Sequence, residues 1–272
     1  MTWTAASAPL GRRRITVSDR RTYGAYGVLV LADTNGPDPQ PGQFYMLAAV
    51  ERWGGGADER PFLPRALSVL RAEPGRAHFM LEDVGPGTDR LLELAVGDDV
   101  WLLGPLGQGF QPPEEGRRAI LCGGGVGTAP LAILEDALRA AGTASVALLG
   151  FRDAPHAQGA ALLGDPRVAT DDGSVGHHGR VTELLSAELD ADPHAVVYSC
   201  GPPPMLEAVR AICEARGVPA QLALESGMAC GFGACYGCVV PTRDGSYIRV
   251  CVDGPVVDAD RLDTALVAGA GH

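Results

Sequence analysis

Four cysteines near the C-terminal end carry the densest chemistry in this sequence. Cys230, Cys235 and Cys238 lie in ESGMACGFGACYGC, and Cys251 follows in IRVCVDG. Their spacing, Cys-x4-Cys-x2-Cys-x12-Cys, begins as the plant-type 2Fe–2S pattern does. Three thiolates from one loop must converge on a small cluster, so the backbone has to turn tightly. Gly231, Gly233 and Gly237 permit that, and they let amide N–H groups approach the sulfurs and stabilise an added electron. Arg243-Asp244-Gly245 reads as a hairpin turn. In the strand expected after it, Tyr247, Arg249 and Cys251 share one face and Ile248, Val250 and Val252 the other, which aims Cys251 at the cluster. A four-cysteine zinc site is the competing reading. Such sites usually show two short cysteine pairs, whereas one pair and a lone distant cysteine stand here. The spacing and the glycines favour iron–sulfur.

The other three cysteines differ. Cys213 falls in an expected helix and Cys122 ends an expected core strand, so both read as packing. Cys200 ends another strand just before Gly201-Pro202, where a dinucleotide could pass. It is either core packing or a neighbour of a nicotinamide.

Two glycine-rich turns offer phosphate chemistry. Gly123-Gly124-Gly125-Val126-Gly127 lies between a strand and a helix that starts near Thr128 and Pro130. Backbone amides without side chains can meet a pyrophosphate there, aided by the helix N-terminus. The full GxGxxG fingerprint is absent, and a plain tight turn is the alternative. Gly85-Pro86-Gly87-Thr88 precedes Asp89–Leu94, with Thr88 as a hydroxyl donor to a second phosphate or as an ordinary helix cap.

The elements that must hold these groups fall into three styles. From Arg14 to about Gly109, short apolar runs alternate with Gly/Pro turns: Tyr26–Leu31, Phe44–Val50, Ala66–Leu70, Ala77–Leu81 and Asp99–Leu103. Their even spacing predicts a small antiparallel barrel, interrupted by a long loop, Glu51–Pro64. QPPEEG at Gln111–Gly116 is a Pro-rich linker. Strands are then expected at Ala119–Cys122, Val146–Leu149, Arg167–Thr170, Ala195–Ser199 and Gln221–Leu224. Helices are expected after Gly127, near Val181–Leu189 and at Pro204–Arg216. That alternation predicts a doubly wound parallel sheet. The expected units are a flexible tail at 1–11, a β-barrel domain at 12–115, an α/β domain at 116–223 and a cluster subdomain at 224–272.

Bulk composition narrows the setting. With 272 residues, 46% of them hydrophobic, the chain can bury two cores. No run approaches the roughly 18 apolar residues of a membrane helix, and MTWTAASAPLGRRRITV has no signal-peptide core. A formal charge of −11 argues against nucleic-acid or anionic-membrane binding. Seven cysteines, an odd number, fit a reduced compartment better than a disulfide framework, so bacterial-type cytoplasm is expected. No hydrolytic constellation stands out. His156, His177 and His178 lack metal-ligand spacing and read as solvated loop residues.

Taken in order, these motifs resemble the ferredoxin–NADP reductase superfamily, and within it the electron-transfer subunits of NAD-dependent dihydroorotate dehydrogenases. The resemblance runs from about Arg14 to Asp258. It rests on Arg65-Ala66-Leu67-Ser68, GPGT, Gly104-Pro105-Leu106-Gly107-Gln108-Gly109-Phe110, GGGVGTAPL, Thr170-Asp171-Asp172-Gly173-Ser174, Cys200-Gly201-Pro202, MACGFGACYGC and Val250-Cys251-Val252-Asp253-Gly254-Pro255. It implies an α/β plus β fold: an N-terminal antiparallel β-barrel for FAD, a doubly wound parallel-sheet NAD domain and a C-terminal 2Fe–2S subdomain. It also implies that Arg65, Ala66, Leu67 and Ser68 line FAD, with Arg65 on the pyrophosphate and Ser68 near the isoalloxazine. Gly87 and Thr88 would bind the flavin phosphates, and Met80, Leu81 and Glu82 would border the ring. Gly123, Gly124, Gly125, Val126 and Gly127 would frame NAD together with Cys200, Gly201 and Pro202.

Ala66 stands where the family has proline, which loosens that turn but keeps both functional side chains. The implied partner is an FMN-bearing catalytic subunit, two of each chain forming a heterotetramer, with electrons running FMN, cluster, FAD, NAD. A flavin must stand between the two-electron nicotinamide and the one-electron cluster. A reductase of the same superfamily serving an oxygenase, ferredoxin or hydrogenase is the near alternative, and a non-enzymatic metal-binding redox module the distant one. Arg152 and Asp153 follow the second α/β strand, where a ribose 2′-hydroxyl or 2′-phosphate is read. They suit either, or a solvated ion pair.

Overall fold

The computed structural model describes residues 11–54 and 61–266. Apart from Gly11, the tail expected at 1–11 lies outside the described residues, as does the middle of the Glu51–Pro64 loop.

Six strands close the barrel: β1 (Arg13–Tyr23), β2 (Tyr26–Ala32), β3 (Phe44–Ala49), β4 (Arg65–Glu73), β5 (Arg76–Glu82) and, after helix α1 (Pro86–Leu92), β6 (Asp99–Leu106). Their order is β1-β2-β5-β4-β3-β6, with antiparallel neighbours throughout. β1 is rich in arginine and shows no apolar run, so the sequence pattern passes over it.

The barrel's second surface explains why its strands read as runs rather than clean alternation. Leu29, Leu31, Tyr45, Leu47, Phe79 and Leu81 fill the interior. On the outward face Tyr26, Val28 and Met80 pack under the second domain, while Phe44 and Met46 pack under the cysteine segment. All six residues of β3 are therefore buried. Each large apolar side chain covered in this way contributes about 1.5–3 kcal/mol relative to exposure.

The α/β unit follows: β7 (Arg118–Gly124), α2 (Thr128–Ala140), β8 (Ser145–Phe151), α3 (Ala154–Ala157), β9 (Arg167–Thr170), β10 (His177–His178), α4 (Val181–Ala191), β11 (Ala195–Cys200), α5 (Pro203–Arg216) and β12 (Ala220–Ala223). On α2, Leu131, Leu134 and Leu138 are buried on one stripe, as their spacing predicts. Helix α5 stops at Gly217, whose φ of 63° lets the Val218 N–H reach the Cys213 carbonyl at 3.0 Å. Among the described residues no helix is long and apolar enough to cross a membrane.

The last segment holds the hairpin β13 (Val239–Pro241) and β14 (Tyr247–Arg249), the helical turn α6 (Val250–Asp253) and β15 (Val256–Asp258). β15 joins the sheet antiparallel to β12, giving the order β10-β9-β8-β7-β11-β12-β15. Residues 256–258 thus return to the α/β sheet across the boundary drawn at 223.

One expectation fails here. The strand before Cys251 ends at Arg249, so Cys251 is placed by the turn α6 and not by strand alternation. The Arg249 N–H donates to the Asp253 carboxylate at 2.9 Å and closes that turn. Continuing the strand would carry the chain away from the sheet edge that β15 must reach.

Candidate functional site

The cysteine loop, between β12 and β13, has no regular structure; backbone torsions shape it. Gly231 and Gly233 take φ values of 80° and 85°, the left-handed region that glycine enters freely. Gly237 does not. Tyr236 takes the third such position at φ 56°, so the tight turn expected at Gly237 is made one residue earlier. Gly237 instead presents its N–H to Cys235 Sγ at 3.5 Å, and the Cys251 N–H reaches Cys238 Sγ at 3.5 Å.

The thiols form two pairs. Cys238 and Cys251 are buried with sulfurs 3.2 Å apart, and Cys230 is hydrogen-bonded to Cys235, which is exposed. Burial pushes the Cys230 thiol up. The backbone N–H groups of Phe232, Cys235 and Ala234 and the Cys235 side chain outweigh it and bring it to about 6. Burial first, then Cys238, pushes Cys251 up to about 12. Among the described residues no three His, Cys, Asp or Glu side chains converge as for a single ion. Two thiol pairs suit a two-iron core, which takes two cysteines on each iron, better than one tetrahedral zinc. These residues fit a 2Fe–2S cluster.

The loop rests on the barrel. A Cβ at Gly231 would lie 2.8 Å from Met46 Sδ and 3.2 Å from Leu106 Cδ1. Met46 is in register with Ala66 across the β3–β4 ladder, and Phe44 with Ser68. The cysteine loop therefore packs on the β3 residue whose ladder neighbour on β4 is Ala66 of the Arg65–Ser68 motif.

Arg65 and Gly87 meet because β4 and β5 are antiparallel, which brings the end of β5 back beside the start of β4. A Cβ at Gly87 would overlap the Arg65 guanidinium. That guanidinium also donates to the Leu63 carbonyl at 2.6 Å and lies 5.7 Å from the Trp53 ring centre. Thr88 is spent locally. Its hydroxyl donates to the Gly85 carbonyl at 3.0 Å and accepts from the Val84 N–H at 3.0 Å. Both bonds tie the Val84–Thr88 turn at the start of α1, whose N-cap is Gly85, so the hydroxyl is engaged within its own turn. Met80 and Leu81 are buried, and Glu82 pairs with Arg152 and lies 3.3 Å from His156 Nε2.

Across the α/β sheet, Gly123–Gly127 and Cys200–Pro202 follow the C-terminal ends of adjacent strands, with Gly123 opposite Cys200. β7 has β8 on one side and β11 on the other, so the crevice lies where the strand order reverses, the usual ligand position of such sheets. The glycines serve contact more than torsion. A Cβ at Gly124 would sit 2.6 Å from Met205 Sδ and 3.1 Å from Pro202 Cδ, and one at Gly127 would sit 2.7 Å from the Gly201 nitrogen. Gly125 alone of these four glycines has a positive φ, 55°, and its missing Cβ points within 3.7 Å of the Tyr26 hydroxyl. Val126 is half-buried at the mouth.

Cys200 is buried, and that burial, with Glu225 nearby, pushes its thiol up. Glu225 was not singled out by spacing. It ends the apolar run after β12 and burial raises its carboxyl; a lone acid closing a core strand is the signal that could have found it. Cys122 and Cys213 are buried thiols, each pushed up to about 12, as expected for packing. Arg152 and Asp153 are an ion-pair case, but with other partners: Arg152 pairs with Glu82, and Asp153 caps α3 and holds His156. His156 is thus half-buried between domains, not in a solvated loop. His177 and His178 are exposed.

Residues 225–263, which begin at Glu225 and include all four cysteines, match the iron–sulfur cluster binding domain of dihydroorotate dehydrogenase B. The electron-transfer subunit of dihydroorotate dehydrogenase B (NAD(+)) from Bacillus caldolyticus is 38% identical over 265 residues, covering 93% of this chain and 99% of the relative. The chain belongs to this family of electron-transfer subunits. The Shouchella clausii member is 40% identical over 229 residues, 80% of this chain and 84% of the relative. Among solved structures, an NADH-dependent reduced ferredoxin-NADP oxidoreductase aligns with a TM-score of 0.76 and 23% identity, over 97% of this chain and 92% of the other, and shares the fold.

As a member of this family the chain is an electron-transfer oxidoreductase subunit, and its cysteine loop is the iron–sulfur segment. The expected three-part architecture of closed antiparallel barrel, parallel sheet and C-terminal cluster segment is the one observed.

Proposed function

We propose that this subunit takes electrons from dihydroorotate oxidation at an FMN site on a catalytic partner and delivers them to NAD, with two copies of each chain in the assembly. The observation that carries this reading is the contact of the cysteine loop with Met46, the ladder neighbour of Ala66 in the Arg65–Ser68 motif. Bound FAD would exchange hydride with nicotinamide and single electrons with the cluster, the conversion neither neighbour performs.

The chain's residues do the positioning. Arg65 offers several donors to a pyrophosphate, and Gly87 leaves room for them. Ala66, Leu67 and Ser68, with Met80 and Glu82, would border the flavin ring, whereas the Leu81 side chain fills the barrel interior and leaves only its backbone on that side. Thr88 stiffens the turn through its two hydroxyl bonds, leaving backbone N–H groups at the start of α1 as the phosphate donors. Gly123–Gly127 and Cys200–Pro202 would hold the dinucleotide, with Cys200 as a neutral, buried neighbour of the nicotinamide.

The partner would bind the outer face of the cysteine loop. Phe232, Tyr236 and Tyr247 are 50%, 65% and 69% exposed there, large apolar groups of the kind that form interface cores. Met228 is half-buried against the core and stands apart from them. Seven cysteines, an odd number with four of them as cluster ligands, fit a reduced cytoplasm better than a disulfide framework. Anaerobic purification with the catalytic partner should yield dihydroorotate-dependent NAD reduction. Robust dihydroorotate oxidation by this chain alone would contradict the proposal, as would the isolation of an oxygenase or hydrogenase partner in its place.

A further inference from the structure

One cation lies over the cysteine loop. Arg249 closes β14, and a Cβ added at Gly233 would meet its Nη1 at 3.2 Å. The guanidinium carbon is 5.7 Å from the centre of the Tyr236 ring, within cation–π reach. Gly233 turns its backbone N–H toward the Cys251 sulfur, so Arg249 covers a peptide group that touches a cluster ligand. Asp253 holds it in place, accepting from the Arg249 backbone N–H at 2.9 Å and facing Nε at 3.4 Å. Arg243, at the hairpin turn, is occupied instead by Glu214 and the Leu262 carbonyl.

We propose that Arg249 tunes the reduction potential of the cluster, its fixed positive charge favouring the reduced state. The inference rests on the iron–sulfur reading of the loop and is independent of which partner donates. When one electron from a reduced flavin enters, no bond forms or breaks, and the loop gains one unit of negative charge. A guanidinium stays protonated throughout, and its Coulomb attraction for that added charge acts across the Gly233 peptide group. Net charge near the sulfurs is one of the protein's main controls on cluster potential. Asp253 offsets part of the effect, but it holds the positive end of the pair over Gly233 and Tyr236.

The test is a redox titration of the isolated, cluster-loaded chain, followed by electron paramagnetic resonance. At a fixed potential, Arg249→Gln should lower the ratio of reduced to oxidised cluster about tenfold, which is 59 mV for a one-electron couple. Arg249→Lys should stay near the wild type. Arg249→Met keeps an unbranched stem and should match Gln; it decides the question should the Gln variant load poorly. An unchanged potential in Gln or Met, or a Lys variant that falls as far as they do, overturns the proposal. Iron and labile sulfide are measured alongside. A wild-type chain that takes up neither would contradict the reading of the loop itself, a different failure from an unshifted potential.

Discussion

Cys230, Cys235 and Cys238 are brought together by one irregular loop, through left-handed turns at Gly231, Gly233 and Tyr236. Arg65 meets Gly87 by another route, because two antiparallel strands fold one motif back onto the other. The first site is local and the second is assembled, and they should fail differently. Damage to the loop should remove the cluster and leave the barrel intact, whereas damage at Arg65 should loosen the flavin and leave the cluster in place.

The largest effect is expected at the exposed ligand. Cys235→Ser should abolish cluster assembly while flavin content stays at the wild-type level, measured by iron, labile sulfide and flavin assays. Stoichiometric zinc without labile sulfide in the wild type would move the loop to another chemistry. Next comes Arg65→Ala, which removes charge-assisted donors worth about 1.5–3 kcal/mol, so flavin retention should weaken about 10- to 100-fold with the cluster retained. Full flavin occupancy after dialysis would reject the assignment.

A smaller effect should follow at the outer face. Tyr236→Asp places a charge in the proposed interface core and should weaken association with the partner by more than about 1 kcal/mol, read by sedimentation. NADH oxidation with a small artificial acceptor should be unchanged. Unaltered association would move the interface elsewhere.

The smallest effect concerns Glu225, whose carboxyl is raised above its ordinary 4.5 by burial. In the window from that ordinary value up through the raised one, the folded chain holds more protons than the unfolded chain. Stability therefore falls as pH rises across the window. Glu225→Gln should flatten this fall in thermal melts, and parallel melting curves against pH would exclude the effect.

The same contrast explains what could be read from sequence. The cysteine pattern was legible because its ligands lie close together in the chain, and the α/β strands were legible because burial on both faces leaves continuous apolar runs. β3 looked like an ordinary barrel strand, and no periodicity reveals that Met46 faces the cysteine loop while Leu47 faces the barrel interior. Cys251 was misplaced onto a strand because the need to return β15 to the sheet edge is a long-range demand. Thr88 showed the right residue type, but whether its proton goes to a phosphate or to the Gly85 carbonyl depends on the turn. Arg152 and Asp153 looked like a pair, and the barrel's Glu82 took one of them.

Electrons are proposed to cross this subunit from the cysteine loop to the crevice between Gly127 and Gly201. Two assays on the reconstituted complex, comparing wild type with Cys235→Ser, decide whether this route is used. Dihydroorotate-driven NAD reduction should be lost in the variant, while NADH oxidation by a small artificial acceptor persists at the wild-type rate. Coupled NAD reduction at the wild-type rate by a cluster-free variant would show that electrons reach NAD without passing through the cysteine loop.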